Sequence, residues 1–286
     1  MKYEALKIYE TFAGDERLTD TRLGKTLKIE REENLLSQEF ENLYQTFNAD
    51  MIQERFSNKT QKQREYILKS LCLPYTLTEI WGRYMQVYLF DTELEQTFKE
   101  MELQPIPSVF ANIPYPSLYI EFQSKKDFNE HGVFVSIKYN RKENAVLIFT
   151  MGTEGLKSPY TGFISVDKNN IKTDNRDALF VKFALNALYY LCSKNKDIVT
   201  EKMDVNSDCI HITKNICGTE YGKIVREKKK EGGKIRKTHY RSAHYHTFRC
   251  GKGKKETVIH FLAPILVGNG EKQIQKHYIK KEKNKT

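Results

Sequence analysis

Apolar side chains recur every three to four positions through the first hundred residues. Leu36, Phe40, Leu43, Tyr44, Phe47 and Met51 fall on one helical face, with Glu and Gln between them. A second stripe of Ile80, Trp81, Tyr84, Met85, Tyr88 and Leu89 predicts another helix over 78–101, and Pro74 marks a break or a start ahead of it. The pattern then changes. Residues 104–116, QPIPSVFANIPYP, hold four of the seven prolines and predict an extended connector. Beyond it the period falls to two. LYIEF at 118–122 alternates. GVFVSIKY at 132–139 and AVLIFTM at 145–151 flank a polar NRKEN turn and predict a hairpin, and 161–166 predicts a further strand. Asp174 is the expected N-cap of a run ending at Cys192 that is apolar on nearly every side. Such a helix must be buried, with Phe180, Phe183, Leu185 and Leu188 in the core. Residues 196–220 show no dominant period. KIVREKKKEGGKIRK, 223–237, reads as a mobile basic linker. The runs on either side of Gly251-Lys252-Gly253 predict a second hairpin, and the last 16 residues a frayed tail. The expected fold is α+β: a helical N-terminal part (1–103), a core (104–220) with a mostly antiparallel sheet and a packed buried helix, and a basic C-terminal β-hairpin region (221–286).

Composition narrows the function classes. Hydrophobic residues make up 39% of the 286, enough for a packed core. MKYEALKIYETF lacks a signal-peptide core, and no apolar stretch reaches 18 residues, so no membrane span is expected. Five cysteines without a CxxC pair argue against a disulfide framework or zinc ribbon, and free thiols suit the cytoplasm. Charge is unevenly spread. Residues 221–286 hold 19 Lys+Arg and 5 Asp+Glu, a net +14, whereas residues 1–220 carry a net −4. A near-neutral body with a basic end implies a polyanionic partner, most often nucleic acid.

The candidate chemistry sits at that end. His239, Arg241, His244, His246 and Arg249 lie within eleven residues. On a strand His244, His246 and Phe248 share a face, and a turn centred on Gly253 places His246 opposite His260. Three readings stay open. Converging imidazoles suit a metal-dependent nuclease, and a relaxase-like variant would need a nucleophilic tyrosine, for which Tyr278 is the nearby candidate. His244, His246 and Arg241 could serve an acid–base ribonuclease. The favoured reading is binding without catalysis, with no metal and no cofactor. There His239, Arg241, His244, His246, Arg249, Lys252, Lys254, Lys255 and His260 meet phosphates, while Tyr245 and Phe248 stack on bases or on a peptide. GKGKKE lacks the phosphate-loop spacing, and neither GxSxG nor HExxH occurs. Cys209 and Cys217, with His211 between them, match no zinc module.

Three stretches together resemble a known family. They are SVFANIPYPSLYIE (Ser108–Glu121), FALNALYYLCSKNKDI (Phe183–Ile198) and KTHYRSAHYHTFRCGKGKKETVIHFLAPILVG (Lys237–Gly268). In that order they look like the type V-A anti-CRISPR inhibitor family, second type, and its plasmid and phage relatives. His239, Arg241, His244, Tyr245, Phe248, Gly251, Gly253, Phe261, Ala263 and Pro264 stand at matching places, as do Phe110, Asn112, Pro114 and Tyr119. Tyr245 replaces a usual Trp, and His260 replaces a common Arg, which favours a cationic contact over metal ligation. The resemblance implies a protein that recognises the nascent polypeptide of a CRISPR effector and brings about loss of its messenger RNA. It implies a partner in RNA or the ribosome, and a peptide-binding groove to which Phe110, Asn112, Tyr115 and Tyr119 would contribute. Prolines in the connector, and strands after it with an open edge, would border that groove.

Overall fold

The computed structural model describes residues 4–13, 58, 60, 62–63, 73–123, 131–152, 160–173, 177–204, 211–230, 239–241, 243–251, 253, 256–263 and 265–267. The stripe from Leu36 to Met51 lies outside them, as do Asp174, Cys209, Lys252, Lys254, Lys255 and Tyr278. The fold is α+β, built on an eight-stranded, mostly antiparallel sheet.

The second predicted stripe divides into three elements. Helix α2 (Leu73–Gly82), which packs against α1 (Glu4–Ala13), stops where Met85 takes a positive φ of 47°. Gln86–Phe90 then forms strand β1, and Thr92–Glu100 forms helix α3. The expected continuous helix over 78–101 is therefore corrected to helix–strand–helix. β1 lies inside the sheet with both faces covered, so its apolar residues run on without alternation and give no period-two signal.

A 3-10 turn (Pro107–Asn112) follows, then β2 (Ser117–Glu121), β3 (Gly132–Asn140), β4 (Ala145–Gly152), β5 (Tyr160–Val166) and β6 (Ile171–Thr173). The β3–β4 hairpin closes through NRKEN, where the Asn140 carboxamide oxygen accepts from the backbone of Lys142 and Glu143. Helix α4 (Ala178–Cys192) comes next. The stretch without a dominant period resolves into β7 (Ile198–Asp204) paired antiparallel with β8 (His211–Cys217). Strand order is β6-β5-β4-β3-β2-β1-β8-β7, with β1 parallel to both β2 and β8.

One sheet face packs on α1 and α2. There Leu6 and Trp81 meet Val87, Tyr119, Phe134 and Met151 in one apolar cluster. The other face packs on α3 and α4 through Tyr88, Phe90, Ile120, Val133 and Ile148. α4 starts at Asp177, whose carboxylate accepts from the amides of Leu179 (2.8 Å) and Phe180 (3.1 Å). The cap is thus three residues beyond the expected Asp174. Phe180, Phe183, Leu185 and Leu188 are all buried, as the all-round apolar pattern requires.

Residues 223–230 of the expected basic linker are corrected as well, while 231–237 lie outside the described residues. Thr219–Lys230 is helix α5, because Arg, Glu and Lys are good helix formers even in a charged run. Arg226 forks onto the Asp91 carboxylate that caps α3, with both N–O distances 2.9 Å. Gly222 permits that approach, since a Cβ there would run into the same carboxylate. Strands β9 (His239–Arg241), β10 (His244–Cys250), β11 (Glu256–Leu262) and β12 (Ile265–Val267) follow as two antiparallel pairs, β10–β11 and β9–β12. No helix among the described residues is long and apolar enough to cross a membrane.

Phe183 is fully buried between α3 and the sheet, with Phe90, Phe98 and Phe122 as ring neighbours. Phe183→Ala should cost about 3–5 kcal/mol, read as a lower urea midpoint with an unchanged slope.

Candidate nucleic-acid interface

The β10–β11 hairpin has two chemically different faces. Its register pairs Tyr245 with Phe261, His246 with His260, and Phe248 with Val258. The expected His246–His260 pairing is therefore present. Gly251 and Gly253 in the connecting turn take φ of 77° and 75°, a region that glycine enters without Cβ strain.

Tyr245, Ile259 and Phe261 form the inner face and are buried in the same core as α4. The Tyr245 ring meets Tyr189 edge-on at 5.6 Å, and Phe261 meets Tyr190 at 5.4 Å and Tyr221 at 5.7 Å. The Tyr245 hydroxyl donates to the Asn186 carbonyl of α4. Tyr245 is thus a core residue, and the expectation that it stacks on bases is corrected: alternation points it inward.

The free side of β11 is clamped by the loop after α4. The Asn195 side chain donates to the Phe261 carbonyl (2.7 Å) and accepts from its amide (2.9 Å), imitating a neighbouring strand. The Lys194 amide donates to the Ile259 carbonyl (3.1 Å). Asn112 of the 3-10 turn reaches the Thr257 carbonyl at 3.4 Å. Tyr189 ties in the proline-rich connector by donating to the Gln104 carbonyl (2.7 Å) and accepting from the Ile106 amide (3.2 Å). None of the fastening residues Asn186, Tyr189 and Asn195 stood out in the sequence, because each acts through tertiary contact alone.

The outer face carries His246, Phe248 and His260. Phe248 is 46% exposed. Its ring lies 4.3 Å from His246 at a tilt of 37°, and 5.1 Å from His260 at 70°. His244 is half-buried on the same face, and Arg249 is exposed on the opposite one, past the end of the core. The backbones of His239 and Arg241 belong to β9, paired with Val267 and Ile265. The hairpin thus brings His246, Phe248 and His260 together and separates them from Tyr245 and Arg249. Among the described residues, no group of three or more His, Cys, Asp or Glu side chains is placed to hold a metal ion.

The expected peptide residues divide similarly. Phe110 and Tyr119 are buried, whereas Asn112 is exposed and Tyr115 half-buried. Strands β2 to β4 are paired on both sides, so an open edge among the strands after the connector falls to β6, which pairs with β5 alone. The terminal strands of the sheet are β6 and β7.

Residues 88–269 match the AcrVA2-like family, described as the Anti-CRISPR type V subtype A2 family. The chain belongs to that family. The crystal structure of AcrVA2 has the same fold, with a TM-score of 0.63 at 16% identity, over 94% of this chain and 100% of that one. No curated protein matches the sequence. The family match takes in both faces of the hairpin and all of α4, but not α1 and α2.

Burial sets the ionisation of this region. It raises the Tyr189 phenol from 10.0 to about 12, against a smaller opposite effect of the Ile106 amide, and it lifts Tyr245 well above its ordinary value. Both groups hold their protons more tightly when folded. Their contribution to stability is complete below pH 10 and is lost as pH rises, through about 12 for Tyr189. Urea midpoints measured from pH 9 to 12 should fall above pH 10, with a shallower slope in Tyr189→Phe.

The inner face also makes the fold of the body depend on residues past 222. A chain ending at Gly222 lacks Tyr245, Ile259 and Phe261 and leaves one side of α4 bare. It should fail to unfold cooperatively, as seen by circular dichroism and calorimetry. Full-length Phe261→Ala should lose about 3–5 kcal/mol.

Proposed function

We propose that the chain is an anti-CRISPR protein that recognises the nascent polypeptide of a type V-A effector, or a similar target, and brings about loss of its messenger RNA. The basic C-terminal hairpin contacts RNA or the ribosome in the bacterial cytoplasm. Membership of the type V subtype A2 family supports the CRISPR target. The observation that carries the nucleic-acid part is the outer hairpin face, where Phe248 and two histidines stand exposed or half-exposed on the chain's +14 segment. Asn112 and Tyr115 are the peptide-contact candidates with surface left to offer, and Asn112 is bonded to the hairpin. Peptide and RNA contacts would thus sit on one packed unit.

One observation favours a second reading. His246 and His260 face each other across the strands, a placement in which one imidazole takes a 2′-hydroxyl proton and the other protonates the leaving 5′-oxygen. Labelled RNA incubated with purified full-length protein separates the two. Intact RNA fits the binding protein, and cleavage abolished by His246→Ala fits the ribonuclease.

Two outcomes are expected. Effector transcript should fall with the wild-type coding sequence and with a synonymous recoding. It should recover when the first codons are changed to encode another peptide; loss that tracks nucleotides instead of the peptide contradicts the reading. RNA affinity should fall steeply with salt. About five phosphate contacts on a single strand give a log–log slope near −3.5, and a slope near zero removes the electrostatic contact.

A further inference from the structure

The outer hairpin face is organised more narrowly than a basic patch requires. Phosphate contacts need only cations, yet the exposed centre here is an aromatic ring held between two imidazoles. Phe248 is 46% exposed, while Val258 directly opposite it is buried. The His246 ring leans over Phe248 at 4.3 Å and 37°, and the His260 ring meets it at 5.1 Å and 70°. An exposed phenylalanine normally samples several rotamers, and ordering it on binding costs conformational entropy. Contact with rings on two sides reduces that cost in advance. The strand beneath is fixed as well, because β11 is clamped by Asn195 and Lys194 and β10 by the Tyr245 hydroxyl.

We infer that His246, Phe248 and His260 form a preorganised platform on which an unpaired base of single-stranded RNA stacks. The inference rests on the RNA contact proposed above and names its substrate class. A planar π-face offers the same surface to every base, so stacking tolerates sequence. It does require a base that is not already stacked in a duplex. Both faces of a paired base inside a helix are covered by its neighbours, and the narrow major groove of A-form RNA keeps side chains from base edges. The +14 segment supplies charge complementarity to the phosphates, and the platform supplies preference for the single-stranded form.

The test uses the full-length chain and two probes, a fluorescein-labelled twelve-nucleotide unstructured RNA and the same strand annealed to its complement. A third, single-stranded probe carries 2-aminopurine, whose emission is quenched by stacking. Phe248→Ala should weaken single-strand binding about 5- to 150-fold and leave duplex binding within twofold. Phe248→Trp should retain affinity, whereas Phe248→Leu, apolar but without a π-face, should lose it along with the 2-aminopurine quenching. Because Phe248 is exposed, melting temperature should be unchanged in all three variants. Salt-dependent RNA binding that ignores Phe248 and treats single strand and duplex alike overturns the platform and leaves the RNA contact standing. Absence of binding to either RNA overturns both.

Discussion

Everything in this structure depends on burying helix α4. Its run from Phe180 to Cys192 is inaccessible except at Lys182, and even Asn186 is 1% exposed. A helix apolar on all sides cannot rest on a single sheet, because its far side would remain in water. The sheet and α3 cover part of it, and the inner face of the C-terminal hairpin covers the rest through Tyr245, Ile259 and Phe261. At roughly 25 cal/mol per Å² of buried apolar surface, these three side chains contribute a large part of the margin that separates folded from unfolded domains. The aromatic cluster of Phe98, Tyr189, Tyr190, Tyr221, Tyr245 and Phe261 joins elements more than 160 positions apart in sequence.

The hairpin therefore works on both sides. Strand alternation sends one set of side chains into the core and the other to the surface. Its rigidity comes from the same contacts that complete the core, so the outer rings stand on a fixed base. Sites carried on regular, well-packed elements hold their geometry more closely than sites on loops. Arg226, forked onto Asp91, docks the basic helix α5 beside α3 and brings cationic sequence against the near-neutral body without lengthening a loop.

Legibility from sequence followed how locally each feature is determined. The hairpin register was readable because Gly251-x-Gly253 marks the turn and period two does the rest. α4 was readable because a 15-residue run, apolar at every position but Lys182 and Asn186, leaves a helix few alternatives. The same alternation that pairs His246 with His260 also separates Tyr245 from Phe248, so the inward direction of Tyr245 was present in the pattern. β1 was hidden, since a strand covered on both faces loses alternation and its aromatics also satisfy a helical stripe. α5 was hidden by its charge, which reads as linker until Arg226 finds Asp91. Asn195 could not be seen at all: its mimicry of a strand neighbour exists only once β11 lies beside it.

The central claim is that the hairpin belongs to the cooperative core and is not an appended module. Native-state hydrogen exchange measures this most directly. The Phe261 amide, bonded to the Asn195 carboxamide oxygen, should exchange with the same opening free energy as amides in the middle of α4, near the global unfolding value. Exchange at Phe261 several kcal/mol easier than in α4 would mean that the hairpin opens by itself, and would contradict the account.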